Sequence, residues 1–332
     1  MQTKSILAIS LALLAGMPSG SAADTHPEKT WLKEAAAITI PGGAGSFDWM
    51  AVDNGRRRML AAHKGTGRLT LLDLDKDILL SELAVGECQG IAIAEEFYYI
   101  GDAKEHKVVI VNAGSLKIEG EIAVAGEIDA MAYCSENRRV YADEDDGNNV
   151  WVLDPKAKAC TATVKVPAAP EYLVYGHSTH RIYQNIKSSN TVEVIDVKTN
   201  KIVFSWSTLP AEKPHGLALD AKHKRLYSAG GNGILVAMDL ESGKVVAHVA
   251  IPERVDQIAF DPQYERLYCA CGGKTASTLA VVSTTAGKLK VVAALPCHKG
   301  THTLTVDPKT HAVWTCFADE SNSYVQRFDA AP

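Results

Sequence analysis

The 332-residue chain contains no C-x-x-C-H, no C-x-x-C and no G-x-S-x-G. Those absences remove covalent haem, the common zinc and dithiol spacings, and the nucleophile elbow of serine hydrolases. Cysteines number seven (88, 134, 160, 269, 271, 297 and 316), too few for a disulfide-built scaffold at this length. Their number is odd, so at least one stays unpaired within the chain. Cys269 and Cys271 form C-x-C in a strand-like run, which turns both thiols to one face. Inert packing or a structural disulfide stands there against metal or redox chemistry.

Basic excess is also missing. The formal net charge is -5 and the pI near 6.1, which gives a nucleic-acid backbone no stripe to follow, so no nucleic-acid partner is expected. No run after the N-terminus is apolar for the roughly 20 residues a membrane helix needs. The start, MQTKSILAISLALLAGMPSGSAAD, has a cation at Lys4, an apolar run from Ile6 to Met17, then small residues. That is the pattern of a secretory signal peptide over residues 1–23, cut near Ala23, and it predicts a periplasmic or secreted chain. With 46% hydrophobic and 22% charged residues, the remaining 24–332 has enough apolar material for a large core.

What the chain does have is a repeat. FDWMAVDNGRRRMLAAH from 47, CQGIAIAEEFYYIGD from 88, IDAMAYCSENRRVYADE from 128 and PEYLVYGHSTHRIYQN from 170 share one template. It continues in PHGLALDAKHKRLYSAG from 214, VDQIAFDPQYERLYCAC from 255 and THTLTVDPKTHAVWTCF from 301. A third alternating run follows each copy, often ending in Asp, and a fourth follows six of them. Second template positions fall at 48, 89, 129, 171, 215, 256 and 302, spacings of 41, 40, 42, 44, 41 and 46. Four strands in forty-odd residues is the period of a propeller blade. The seventh copy lacks its fourth strand, and WLKEAAAITI, residues 31–40, is free to supply it; ring closure outweighs the local helix propensity of LKEAAA. The expected fold is all-β: a seven-bladed β-propeller of four antiparallel strands per blade, closed by an N-terminal strand joining the last blade.

RRVYADEDDGNNVWVLDP and HRIYQNIKSSNTVEVIDVKTNKIV resemble the YVTN-type, YncE-like bacterial propellers, over residues 31–332. The resemblance implies this fold. It leaves function open among lactonase-type enzymes, dehydrogenase subunits and binding modules.

In such a blade the first strand lines the channel, and the loops after strand two and between blades open on the face where ligands bind. His63, His106, His215, His298 and His302 fall on that face; His177, His180, His223 and His311 fall in first turns at the other. The second template position reads Asp48, Gln89, Asp129, Glu171, His215, Asp256 and His302, polar in every copy. Water at a channel mouth explains polarity. Carboxylates gathered on one axis repel, so at least one should keep a raised pKa unless a cation joins them. His215, Asp256 and His302, with His63 or His298 to complete them, make a candidate set for a transition metal such as Zn or Cu. DEDDGNN, residues 143–149, lacks calcium-loop spacing and reads as a solvated acidic loop. Pro41-Gly42-Gly43-Ala44-Gly45 precedes no helix, so it reads as a crossover rather than a phosphate loop. Cys297-His298 is either a thiolate couple or a part-buried thiol beside an exposed imidazole.

The first expectation is a monomeric exported propeller that binds a small molecule, metal ion or protein partner at this mouth. The second is a metal-assisted hydrolase or lyase, lactonase-like, with Asp129 or Glu171 as base. A third is an accessory subunit of an exported redox enzyme.

Overall fold

Blade five shows how the template folds. Pro214–Asp220, Arg225–Gly230, Ile234–Asp239 and Val245–Ala250 pair antiparallel in sequence order. A computed structural model describes residues 30–145, 147–273 and 276–332, and these form seven such sheets. Residues 1–23, expected to be a signal peptide, lie outside the described residues.

The recurrent Asp at the end of the third strand is a turn device. Asp196 accepts the backbone N–H groups of Lys198 and Thr199, and Asp239 those of Glu241 and Ser242. An Asp side chain that caps its own turn makes the reversal local and cheap in backbone entropy. Third strands were expected to alternate, yet Ile234–Asp239 buries four residues in succession and Lys107–Asn112 does the same. Each blade packs against a neighbour on both faces, which removes the solvent side that alternation requires. The outer strand of blade five keeps it: Val245–Ala250 is exposed at every second residue.

The ring closes as the sequence predicts. Leu32–Glu34 and Ile38–Ile40 both pair with Ser323–Ala330, the last strand of blade seven. Leu32 and Ile40 are buried against that sheet, contributing roughly 1.5–3 kcal/mol each. Ala35 donates its N–H to the Arg327 carbonyl at 3.0 Å, so the alanine segment is held as edge strand rather than helix. Residues 31–332 make one compact unit.

Candidate site at the channel mouth

Five of the seven ring residues sit at a repeated β-bulge. In blade three Ile128 pairs with Glu144 and Met131 with Ala142, so Asp129 and Ala130 together oppose Asp143. Blades two, five and six carry the same two-against-one shift at Gln89-Gly90, His215-Gly216 and Asp256-Gln257, and blade four inserts Glu171 alone between the Pro170–Ile186 and Tyr172–Asn185 pairs. A bulge frees a residue from the ladder and turns its side chain, here toward the axis. A second device fixes the loops. Asp145, Lys187, Gly231 and Gly272, each the first residue after strand two, donate N–H to the carbonyl two residues before the ring position, at 2.9–3.0 Å. Whatever side chain stands there meets the ring.

The channel beneath is plugged. Trp49 of blade one and Tyr172 of blade four stack across it with centroids 4.5 Å apart. At the equivalent position of blades two and five a glycine lets the first strand approach the backbone of the next blade. A Cβ on Gly90 would lie 2.4 Å from the Asp129 carbonyl oxygen, and one on Gly216 2.9 Å from that of Asp256. The Trp49–Tyr172 stack closes the channel beside the ring residues.

Its walls are charged, and most charges are matched. Lys187 pairs with Glu171, whose other oxygen lies 3.3 Å from His215 Nε2. His302 Nε2 is 3.9 Å from Asp256. Lys64 lies beside Asp48 and, with the Gln89 amide turned to satisfy both of its ends, donates to the Gln89 oxygen. The two histidines are held alike: Nδ1 of His215 donates to the Lys213 carbonyl and Nδ1 of His302 to the Gly300 carbonyl, both at 2.7 Å. A carbonyl only accepts, so each Nδ1 carries the proton and each Nε2 is left for the mouth.

The carboxylates behave as crowded acids should. Burial raises Asp48 to about 6 despite the nearby Lys64, and it raises Glu171 despite His215 and Lys187. Burial, then the charges of Asp143, Glu171, Asp48 and Asp145, holds Asp129 well above the usual range. Asp143, fully buried, accepts from the Ala130 N–H at 2.6 Å and Gln184 Nε2 at 2.8 Å. Burial nevertheless pushes it to about 7. The 143–149 segment is thus not a wholly solvated acidic loop, because its first carboxylate is part of the wall.

His63 does not join the mouth. It is fully buried between blades one and seven, stacked on Phe47 at 4.2 Å with Nε2 2.9 Å from Ser323 Oγ. His215, Asp256 and His302 divide into the Glu171–His215 and Asp256–His302 pairs. Among the described residues no three His, Cys, Asp or Glu side chains are gathered so as to hold a metal ion. His298 stacks on Phe317 at 4.0 Å, and burial pushes the Cys297 thiol up to about 11, far from a thiolate. Cys269 and Cys271 are buried free thiols. Turn-face histidines find acids: His180 lies 2.6 Å from Glu136 and His223 2.7 Å from Asp220. Sequence reasoning missed Lys64, Lys187, Asp143, Trp49 and Tyr172. The position after strand two, aligned across the copies, would have found both lysines.

No protein-family model matches the sequence, and no curated protein matches it. Among solved structures the chain is similar to Kuenenia stuttgartiensis Hydrazine Synthase, with a TM-score of 0.74 and 13% identity over 92% of this chain and 98% of that one. At that identity the likeness is one of fold, and the fold is a seven-bladed propeller.

Proposed function

We propose that the protein is an exported propeller of the YVTN-like kind that binds a small polar ligand in the channel mouth. One observation carries this reading: blades four to seven bring Glu171, Lys187, His215, Asp256 and His302 together as ion pairs at the channel that Trp49 and Tyr172 close. A structural scaffold gains nothing from burying such groups, since each desolvated charge costs stability. A closed floor with convergent polar walls is the usual form of a ligand site.

The test is a thermal-shift panel of small polar molecules on wild type and on His215→Gln. A molecule that raises the wild-type melting temperature and leaves the variant unmoved supports the reading. A panel covering cations, anions and neutral polar molecules in which none does so defeats it. Export is tested separately, by whether the protein recovered from its host begins near Asp24.

A metal-assisted hydrolase or lyase is the second reading, favoured by the common anchoring of His215 and His302. An imidazole whose Nδ1–H is tied to a carbonyl presents Nε2 in the way metal-binding histidines do. Glu171 or Asp129 would then act as base. If Zn or Cu leaves the melting temperature of wild type no different from that of His302→Gln, this reading fails.

A further inference from the structure

Blade two departs from the template at the turn joining its first two strands. Ile93 and Phe97 bracket three residues there, 94–96, whereas the same turn holds four in blades one, three, four, five and six. In those five blades the fourth turn residue takes a positive φ, as Arg57, Arg138, His180, Lys224 and Glu265 do, and an arginine opens the second strand. Blade two lacks the extra residue and has Phe97 in the arginine position. Beside this short turn lies a cleft of about 830 Å³ between blades two and three, on the face opposite the mouth and lined by none of the ring residues. Phe97, Tyr99 and Tyr133 form its aromatic part, with the Tyr99 and Tyr133 ring centroids 6.0 Å apart. The neighbouring Tyr98 points the other way and donates its hydroxyl to Asp53 of blade one at 2.7 Å. Tyr99 is only 3% exposed, and its hydroxyl, with no hydrogen-bond partner among the described residues, opens on the cleft. A hydroxyl so placed is costly unless water or a ligand reaches it. Around the rim stand Arg138, Lys156 and Lys158 with Glu95, Glu96 and Glu119, and none of the six is in an ion pair among the described residues. Arg139, by contrast, is held by Asp154 at 2.9 Å.

We propose that this cleft binds a neutral saccharide, its C–H groups on the Phe97, Tyr99 and Tyr133 rings and its hydroxyls on Tyr99 and the rim. The site is separate from the channel mouth and does not rest on the reading given for it. Charge disfavours an ion: with three cations and three acids around the cleft, a ligand of either sign meets repulsion as well as attraction. A plain aromatic ring would cover the tyrosines and leave the surrounding donors and acceptors without partners. A sugar hydroxyl both donates and accepts, so a row of them serves ammonium, guanidinium, carboxylate and phenol alike.

The experiment is calorimetry on the full chain with cellobiose and maltose as neutral sugars, glucuronate and protonated glucosamine as charged ones, and benzyl alcohol as a ring with a single hydroxyl. At least one disaccharide should bind with a Kd of about 1 mM or tighter, and at least roughly fivefold more tightly than the charged sugars and benzyl alcohol. Tyr99→Phe removes one oxygen and should weaken that disaccharide by roughly five- to tenfold. Tyr133→Ala should abolish its binding, and His215→Gln at the mouth should leave it unchanged. If Tyr133→Ala does not fold, Tyr99→Phe decides, since it keeps the buried ring. No binding by any of the five, a charged sugar or benzyl alcohol binding as tightly as the disaccharides, or a disaccharide affinity that survives Tyr99→Phe overturns the assignment. Sugar binding lost in His215→Gln but kept in Tyr99→Phe would overturn this site while supporting the ligand site at the mouth.

Discussion

Trp49 and Tyr172, from blades three places apart around the ring, stack at 4.5 Å and close the propeller's channel. The contact is long-range in sequence and central in space, so it ties opposite walls together. Tyr172→Ala should cost about 3–5 kcal/mol, in the range of large aromatic deletions from a core. Tyr172→Phe should cost less than about 1.5 kcal/mol, because the hydroxyl has no hydrogen-bond partner among the described residues. Urea midpoints check both, and equal losses in the two variants would mean that the hydroxyl, not the ring, holds the floor.

The raised pKa of Asp129 makes a signed prediction about pH. In the folded state the carboxyl keeps its proton after the unfolded chain, near 4, has lost it. Its contribution is therefore present at low pH and is lost as pH rises from about 4 through the folded value. Asp129→Asn carries no such charge, so it should match wild type near pH 4 and exceed its melting temperature at pH 8. A variant less stable than wild type at pH 8 would show that Asp129 is an asset to the empty fold.

The repeat made the fold legible because blade geometry is local. A forty-residue period, a turn-capping Asp196 or Asp239 and a missing last strand suffice to count blades and to assign residues 31–40 to closure. The ring was legible for the same reason, since one register position recurs seven times. Partnerships across the axis were not. That Tyr172 meets Trp49, or that Asp129 has no ion pair among the described residues while Glu171 has two, depends on which blades face one another. His63 misled because its position at the end of a second strand suggests the mouth, whereas Phe47 and Ser323 draw the imidazole into the wall between the first and last blades.

The thiols should separate by burial. All seven cysteines are free, with Cys160 exposed, Cys297 part-buried and the other five buried. Burial pushes Cys271 up to about 12 and also raises Cys269 and Cys316 well above the usual thiol range. Thiolates are the reacting species, so a disulfide reagent at pH 8 should titrate Cys160 quickly, Cys297 slowly and all seven only after unfolding. Fewer than seven in the denatured, unreduced protein would reveal a disulfide that this arrangement does not contain.

Ring closure should show an acid limb. Ser323 Oγ accepts from the Gly45 N–H and lies 2.9 Å from His63 Nε2, joining blade seven to the crossover and to blade one. Burial lowers the His63 pKa even though Glu82 stands 3.6 Å from Nδ1. The unfolded chain therefore takes up a proton near 6.5 that the folded one resists, and stability falls as pH drops through that value. This slope is opposite to that of Asp129, so the two are separable by variant. His63→Gln should flatten the loss between pH 7 and pH 5 without removing the Asp129 effect at pH 8. Ser323→Ala should cost about 1–3 kcal/mol at every pH by stranding the Gly45 and His63 donors. A Ser323→Ala variant as stable as wild type would place the closure elsewhere, in the Leu32 and Ile40 strand contacts alone.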